Sequence, residues 1–299
     1  MKIYSVVNHG DIVREFYDKT GIKPNIMISY TYHERNMTLL TKTCRDLIDE
    51  LFLDSGAFSV FTGKKNINRY EYLLFLRLFG HLFTRVITFD DKFDDAGHNF
   101  ENQLILEDAL KDKGIRPIPV VHDFENPYKE FEMYVRLGHD YIGLGSMGSR
   151  KSIPNNILGK IRTKHPKIKV HKFGTLNQEM LLQYRPESAD SSGWAQHAGK
   201  GGSVYYWRPS ENKRYEYNVG GKDSKASEEK NVMKCPFYDE IVEFWMKKFN
   251  YTPETVVSDA GARQIINLYF NTQFEAYLNS PEALTKCTTK KATQKKGKK

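Results

Sequence analysis

Eight short runs rich in valine, isoleucine and aromatic residues recur along the chain, and segments with helical spacing separate them. The runs are KIYSVV (2–7), NIMISY (25–30), LFLDSGAF (51–58), RVITFD (85–90), RPIPVVHD (116–123), DYIGLGS (140–146), KVHKFG (169–174) and ESADS (187–191). Between them lie segments such as MTLLTKTCRDLIDEL, RYEYLLFLRLFGHLF, FENQLILEDALKDK and NPYKEFEMYVRLG, several with apolar residues at i, i+3, i+4 and i+7. Strands apolar along most of their length are buried on both faces, and the intervening helices make neighbours parallel. The alternation predicts an α/β fold, a (β/α)8 TIM barrel occupying residues 1–198. A doubly wound open sheet shares the same alternation, because barrel closure leaves no mark in a sequence.

After residue 198 the rhythm breaks. Residues 199–234 are bounded by glycines and hold two aromatic runs, Tyr205-Tyr206-Trp207 and Tyr215 with Tyr217, around a Pro-Ser-Glu-Asn turn. That pattern predicts an inserted β-hairpin after the eighth strand, hanging over the barrel mouth. Trp207 beside Arg208, Lys213 and Arg214 suits nucleic acid, where rings stack on bases and cations meet phosphates. The competing reading is an edge hairpin that packs its aromatics on the barrel. Residues 235–282 read as closing C-terminal helices of the barrel.

The last segment, 283–299, carries seven lysines and no acid, so removing it from the net charge of +8 leaves about +1 for the rest of the chain. Such a run cannot bury apolar surface and is expected to be a disordered tail. Lys290, Lys291, Lys295 and Lys296 are then either a solubilising run or a loose clamp on a polyphosphate backbone. Charged residues at 27% and aromatics at 13% describe a folded soluble protein, and no stretch approaches the roughly 18 apolar residues of a membrane span. The N-terminus lacks the apolar core of a signal peptide, which points to the cytoplasm. Three distant cysteines, Cys44, Cys235 and Cys287, fit a reducing compartment, and a metal built from Cys235 and His197 lacks identifiable further ligands.

A barrel carries its chemistry at the C-terminal ends of its strands. Those ends hold Asp54 with Ser55, Asp90 with Asp91, His122 with Asp123, Gly143 and Gly145, His171, and Asp190. Asp190 draws attention first, because it closes a strand and is followed by two hydroxyls and a glycine; an Asp-Ser-Ser turn or helix N-cap is the plainer alternative. Two carboxylates flanking a reacting centre can divide nucleophile and acid/base roles, as in retaining glycoside chemistry at a separation of roughly 5 to 5.5 Å. A third can accept the N–H donors of a base edge. The same acids could instead hold Mg²⁺ or cap the following helices.

Six of these pieces, in order, resemble the tRNA-guanine transglycosylase superfamily: LDSGAFSV (53–60), TFDD (88–91), PVVHD (119–123), YIGLGSMG (141–148), VHKFGT (170–175) and PESADSSGW (186–194). The last is closer to the family's DNA-modifying branch, the 7-deazaguanine DNA transglycosylases of phages and bacterial genomic islands. The resemblance spans about residues 25 to 195. It implies Asp190 as the nucleophile at C1′ of a guanine nucleotide and Asp54 as general acid/base at the base's ring nitrogen. It implies Asp90 as acceptor for guanine's N1–H and exocyclic amine, Phe58 and Phe173 as the faces of a base slot, and Gly143 and Gly145 as close backbone approaches. Ser55, His122 and His171 complete the expected substrate contacts.

Two departures bear on the partner. His122 and Ser59 stand where the tRNA enzymes have glutamines, and the CxCxxC…H zinc motif after the eighth strand is absent, which favours a polynucleotide other than tRNA. The expectation is exchange of guanine in DNA for a free 7-deazaguanine of the preQ0 type through a covalent Asp-deoxyribosyl intermediate. It implies no metal, nucleotide or redox cofactor and no membrane partner, and it leaves the oligomeric state open, a homodimer included. The alternatives are the same chemistry on tRNA, a non-catalytic nucleic-acid-binding barrel, and a glycoside hydrolase.

Overall fold

The computed structural model of the chain describes residues 1–299 except 8, 64–65, 94, 146–152, 200–201, 220–230 and 286–299, so the seven lysines of the expected tail and most of the loop after the hairpin lie outside the described residues, whereas 283–285, expected to be disordered, are helical with Ala283 buried. Eight parallel strands form one sheet: β1 (Lys2–Val6), β2 (Ile26–Ser29), β3 (Leu51–Asp54), β4 (Arg85–Val86), β5 (Val120–Val121), β6 (Tyr141–Leu144), β7 (Lys169–Lys172) and β8 (Ser188–Ser191). Their order is β4-β3-β2-β1-β8-β7-β6-β5. A parallel bridge between Ile87 and Ile118 joins the two outer strands, with Thr88 N donating to Ile118 O at 3.0 Å and Ile118 N to Val86 O at 2.8 Å. The sheet therefore closes into a barrel, and the open-sheet alternative falls away.

Alternation along the strands sends every second side chain inward. Tyr4, Met27, Phe52, Ile87, Ile118, Val120 and Tyr141 make an inner core, with the Tyr4 and Phe52 rings edge to face at 5.0 Å. Below them, at the N-terminal end, Glu50 accepts from the Tyr4 hydroxyl and lies 3.6 Å from Arg85, while Tyr141 Oη and Ser188 Oγ are 2.5 Å apart. This lower half is packed and polar-paired, so open space is confined to the upper half.

The flanking helices are α1 (Asp11–Thr20), α2 (Arg69–Phe79), α3 (Ala96–Leu110), α4 (Pro127–Arg136), α5 (Asn156–Lys164) and α6 (Gln178–Tyr184). Most turn an apolar stripe to the sheet: α1 buries Ile12, Val13 and Phe16 and ends on Gly21 at φ +68°, whereas α3 buries Asn99, Asn102 and Gln103 beside Leu106 and Leu110. One expected helix is missing. The segment MTLLTKTCRDLIDEL forms only the turns Met37–Leu40 and Lys42–Arg45, because Thr41 is extended between them and its hydroxyl donates to Thr38 O at 2.7 Å. A threonine that satisfies the backbone locally competes with helix propagation.

After β8 come α7 (Gly193–Gly199), the hairpin strands β9 (Ser203–Arg208) and β10 (Lys213–Asn218), then α8 (Tyr238–Phe249), α9 (Pro253–Ser258) and α10 (Ala260–Leu278). Between α9 and α10 the chain breaks at Asp259, which is extended and caps α10 by accepting from Gly261 N at 2.7 Å. Helix α10 is the barrel's own eighth helix. It runs antiparallel to β1, with Asn271 Nδ2 donating to Ser5 Oγ at 2.7 Å and Glu275 Oε2 accepting from Ile3 N at 2.7 Å.

The hairpin lies along α10 and not over the mouth. Asn267 of α10 accepts from Tyr205 N at 2.6 Å, Trp207 packs against Phe274 at 5.9 Å and Tyr277 at 4.8 Å, and Asn212 at the hairpin tip donates to Glu282 beyond α10. Burial of four aromatics, Tyr205, Tyr206, Trp207 and Tyr217, outweighs any gain from leaving them exposed above the barrel.

Candidate functional site

The C-terminal ends of the strands surround a cavity of about 450 Å³, within the range of small-molecule sites. Asp54, Asp90 and Asp190 all line it, with His122, Gly145, Phe58 and Phe173. Phe58 stands at the open rim and is 42% exposed, so its ring is available to a ligand.

Asp190 is held by its strand. It pairs in register with Tyr4 of β1, and its Oδ1 accepts from Gly174 N at 2.8 Å. The turn-forming role falls to Ser191, whose Oγ accepts from Gly193 N at 2.9 Å, so Asp190 is not spent as a cap. His171 Nε2 lies 3.3 Å from Asp190 Oδ1, and its Nδ1 is 2.6 Å from Ser188 Oγ. Beside His171 on β7, the buried Lys172 donates to Ile153 O, and burial pushes its ammonium down to about 8 against the opposing pull of Asp190.

Asp54 sits in a different field. Its Oδ2 accepts from Gly56 N at 3.0 Å, across a turn with Gly56 at φ +84° where a Cβ would stand 2.4 Å from Thr31 Cγ2. Burial pushes the carboxyl up to about 8, and the charges of Asp90 and then Asp190 add to the rise against the bonds from Gly56 and Ser29. At neutral pH Asp54 therefore holds its proton, chiefly because it is buried.

Asp90 is pinned from both sides. Ser55 Oγ donates to its Oδ1, and His122 Nε2 lies 2.8 Å from its Oδ2. Glu130 of α4 holds the strand end beneath, accepting from His122 N at 2.8 Å and Asp123 N at 2.6 Å. Three expected contacts thus stand behind the wall. Ser55 is fully buried under Asp90, His171 is buried under Phe173 with ring centroids 4.4 Å apart, and Gly143 makes room for Phe173, where a Cβ would come within 2.8 Å of the ring. None of the three lines the cavity; each fixes a residue that does.

Ser29, Tyr32, Phe93 and Gln196 line the cavity without having been singled out from sequence. Ser29 ends β2, so the strand-end rule that found Asp54 covers it; Phe93 and Gln196 come from loop and helix beyond the strands, where no periodicity marks them.

The expected nucleic-acid residues divide. Trp207 is 5% exposed and belongs to the packing under the hairpin, which removes it as a stacking platform. Arg208 is taken by Glu211 and by Glu240 at 3.3 Å. Lys213 and Arg214 are exposed on β10, Arg214 resting 5.2 Å from the Tyr205 ring, while Lys290, Lys291, Lys295 and Lys296 lie outside the described residues. Cys235 is buried, and His197 is engaged by Glu216 at 2.7 Å; among the described residues no group of three His, Cys, Asp or Glu has the arrangement to hold a metal ion. No helix among the described residues is long and apolar enough to cross a membrane.

No family model matches the chain, and no curated protein matches it. Among solved structures it is similar to a Coccidioides immitis protein assigned as a fructose-1,6-biphosphate aldolase, at 10% identity and a TM-score of 0.47 over 96% of this chain and 92% of that one. The closed ring of eight parallel strands places the chain among (β/α)8 barrels on its own topology.

Proposed function

We propose that the protein is an enzyme, a base-exchange pentosyltransferase that replaces guanine in DNA with a free 7-deazaguanine. The observation that carries the reading is the opposition of Asp54 and Asp190: two carboxyls on one ring-lined cavity, one held protonated and the other anchored by a backbone N–H. Such a pair divides the labour of displacement at an anomeric carbon.

In this mechanism the guanine is extruded between Phe58 and Phe173, and Asp90 accepts its N1–H and amine hydrogens. A carboxylate oxygen of Asp190 bonds to C1′ as the glycosidic C–N bond breaks. The electron pair of that bond stays on the base nitrogen, which takes the proton from Asp54. The incoming base then returns its ring proton to Asp54, its nitrogen attacks C1′, and the bond to Asp190 breaks. Two inversions give net retention.

Extrusion costs a few kcal/mol, which phosphate contacts from Lys213, Arg214 and the terminal lysines would offset. DNA is favoured over tRNA by the hairpin standing where the tRNA enzymes carry a zinc motif. The test is mass spectrometry of nucleosides from DNA and, separately, tRNA after incubation with the protein and a panel of deazapurines. Incorporation into DNA by the wild type and none by Asp190→Ala is the expected result. Exchange by Asp190→Ala overturns the mechanism, and incorporation into tRNA alone overturns the choice of polymer.

A further inference from the structure

We infer that the protein self-associates as a two-fold dimer through the outward face of α2, the helix after β3, with Leu74 on the axis. This stands apart from the base-exchange reading and uses none of its residues. The face is apolar where a solvent-facing helix is normally charged. Tyr70, Leu74 and Leu78 are 66%, 59% and 57% exposed, whereas the exposed positions of α1 are Asp11, Arg14, Glu15 and Asp18. Large exposed apolar side chains at i, i+4 and i+8 mark an interaction surface, and the symmetry of this one identifies what covers it.

At about 100° per residue, Tyr70 and Leu78 lie about 40° to opposite sides of Leu74, and Glu71 and Arg77 about 60° to opposite sides. A two-fold axis through Leu74, normal to the helix, therefore exchanges Tyr70 with Leu78 and Glu71 with Arg77. In an antiparallel pair each copy sets its Tyr70 ring on the partner's Leu78 and its Glu71 beside the partner's Arg77, and each contact is made twice. Arg77 is already aimed: it holds Asp112 at 2.9 Å and the Ala109 carbonyl, which uses three of its five N–H donors and leaves it exposed. An unrelated partner has no need of an acid and a base at two-fold-related positions.

The neighbouring surfaces fit the same axis. Arg69 donates to Asn102 of α3 and Arg77 to Asp112 just beyond it, so α3, with its exposed Leu104 and Ile105, flanks α2 on the Arg77 side. On the Glu71 side a groove lined in part by Met37, Phe75 and Phe79 runs along α2. The two-fold brings the groove of one copy onto α3 of the other, which widens the contact toward the roughly 1,200 Å² that a specific interface needs. Barrel helices run antiparallel to the strands, so an antiparallel α2 pair points the two mouths in opposite directions and leaves both cavities open.

The test is sedimentation equilibrium of the full chain, without nucleic acid, from about 1 to 100 µM. The wild type should approach twice the chain mass of 34.8 kDa. Leu74→Asp sets two carboxylates face to face on the axis and should raise the dimer Kd at least about thirtyfold, with an unchanged circular dichroism spectrum because Leu74 is exposed. Glu71→Arg and Arg77→Glu should each weaken the dimer about tenfold, since each places like charges together twice.

Mixed one to one, those two single variants should associate as tightly as wild type, because their heterodimer restores both ion pairs. Only folded chains can do so, and the mixture therefore also answers for folding. A wild type that stays monomeric at about 100 µM, a dimer that Leu74→Asp leaves intact, or a mixture no tighter than its components each overturns the inference.

Discussion

Asp54 and Asp190 are the same side chain in opposite surroundings, and the difference is measurable. Folded Asp54 keeps its proton to about pH 8, whereas the unfolded chain releases it near the ordinary 3.8. Between those values the native state binds more protons than the unfolded one, so stability falls as pH rises from about 4 to about 8. Asp54→Asn removes that loss: urea unfolding should show the variant several kcal/mol more stable than wild type at pH 9 and about equal to it near pH 3.5. A variant no more stable at pH 9 would mean that Asp54 is ionised at neutrality. In the proposed mechanism the same proton goes to the leaving base, so the exchange rate of the wild type should decline above about pH 8. At this scale the sequence was informative where a residue ended a strand: Asp54, Asp90, His122 and Asp190 all reach the cavity. It misplaced Ser55, Gly143 and His171 because strand position gives the height of a residue on the barrel and not whether a larger neighbour covers it.

The hairpin shows the limit of composition at the level of elements. Its strands were legible from the aromatic runs and the turn between them, but a ring that can stack on a base can equally be buried, and here burial against α10 prevails for Trp207. Trp207→Ala should cost about 3 to 5 kcal/mol in chemical denaturation, with DNA affinity unchanged once corrected for the folded fraction. The double substitution Lys213→Ala with Arg214→Ala should do the reverse, leaving stability within about 0.5 kcal/mol while lowering the slope of log K against log salt by about 2. Loss of affinity in Trp207→Ala at full folding would restore the stacking role. The missing helix after β2 has a similar origin: apolar spacing was present, but Thr41 satisfies Thr38 O through its own hydroxyl and stops propagation.

For the whole molecule, the alternation of strands and helices was enough to give eight parallel strands, and the pairing of β1 with β8 together with the Ile87–Ile118 bridge between the β4 and β5 segments supplies what no sequence pattern encodes, closure of the ring. The insertion also moved the eighth helix far from its strand: about seventy residues separate β8 from the start of α10. A chain stopped after residue 258 should therefore lose its fixed tertiary structure, seen as collapse of the near-UV circular dichroism, since Ile3, Ser5 and Trp207 lose the surface that covers them. A truncated chain with native near-UV signal would show that α10 is dispensable. The late arrival of α10 has a consequence for synthesis. The strand bearing Asp190 leaves the ribosome well before the helix that packs against its neighbour β1, so the barrel around that carboxylate cannot be completed until translation is nearly finished.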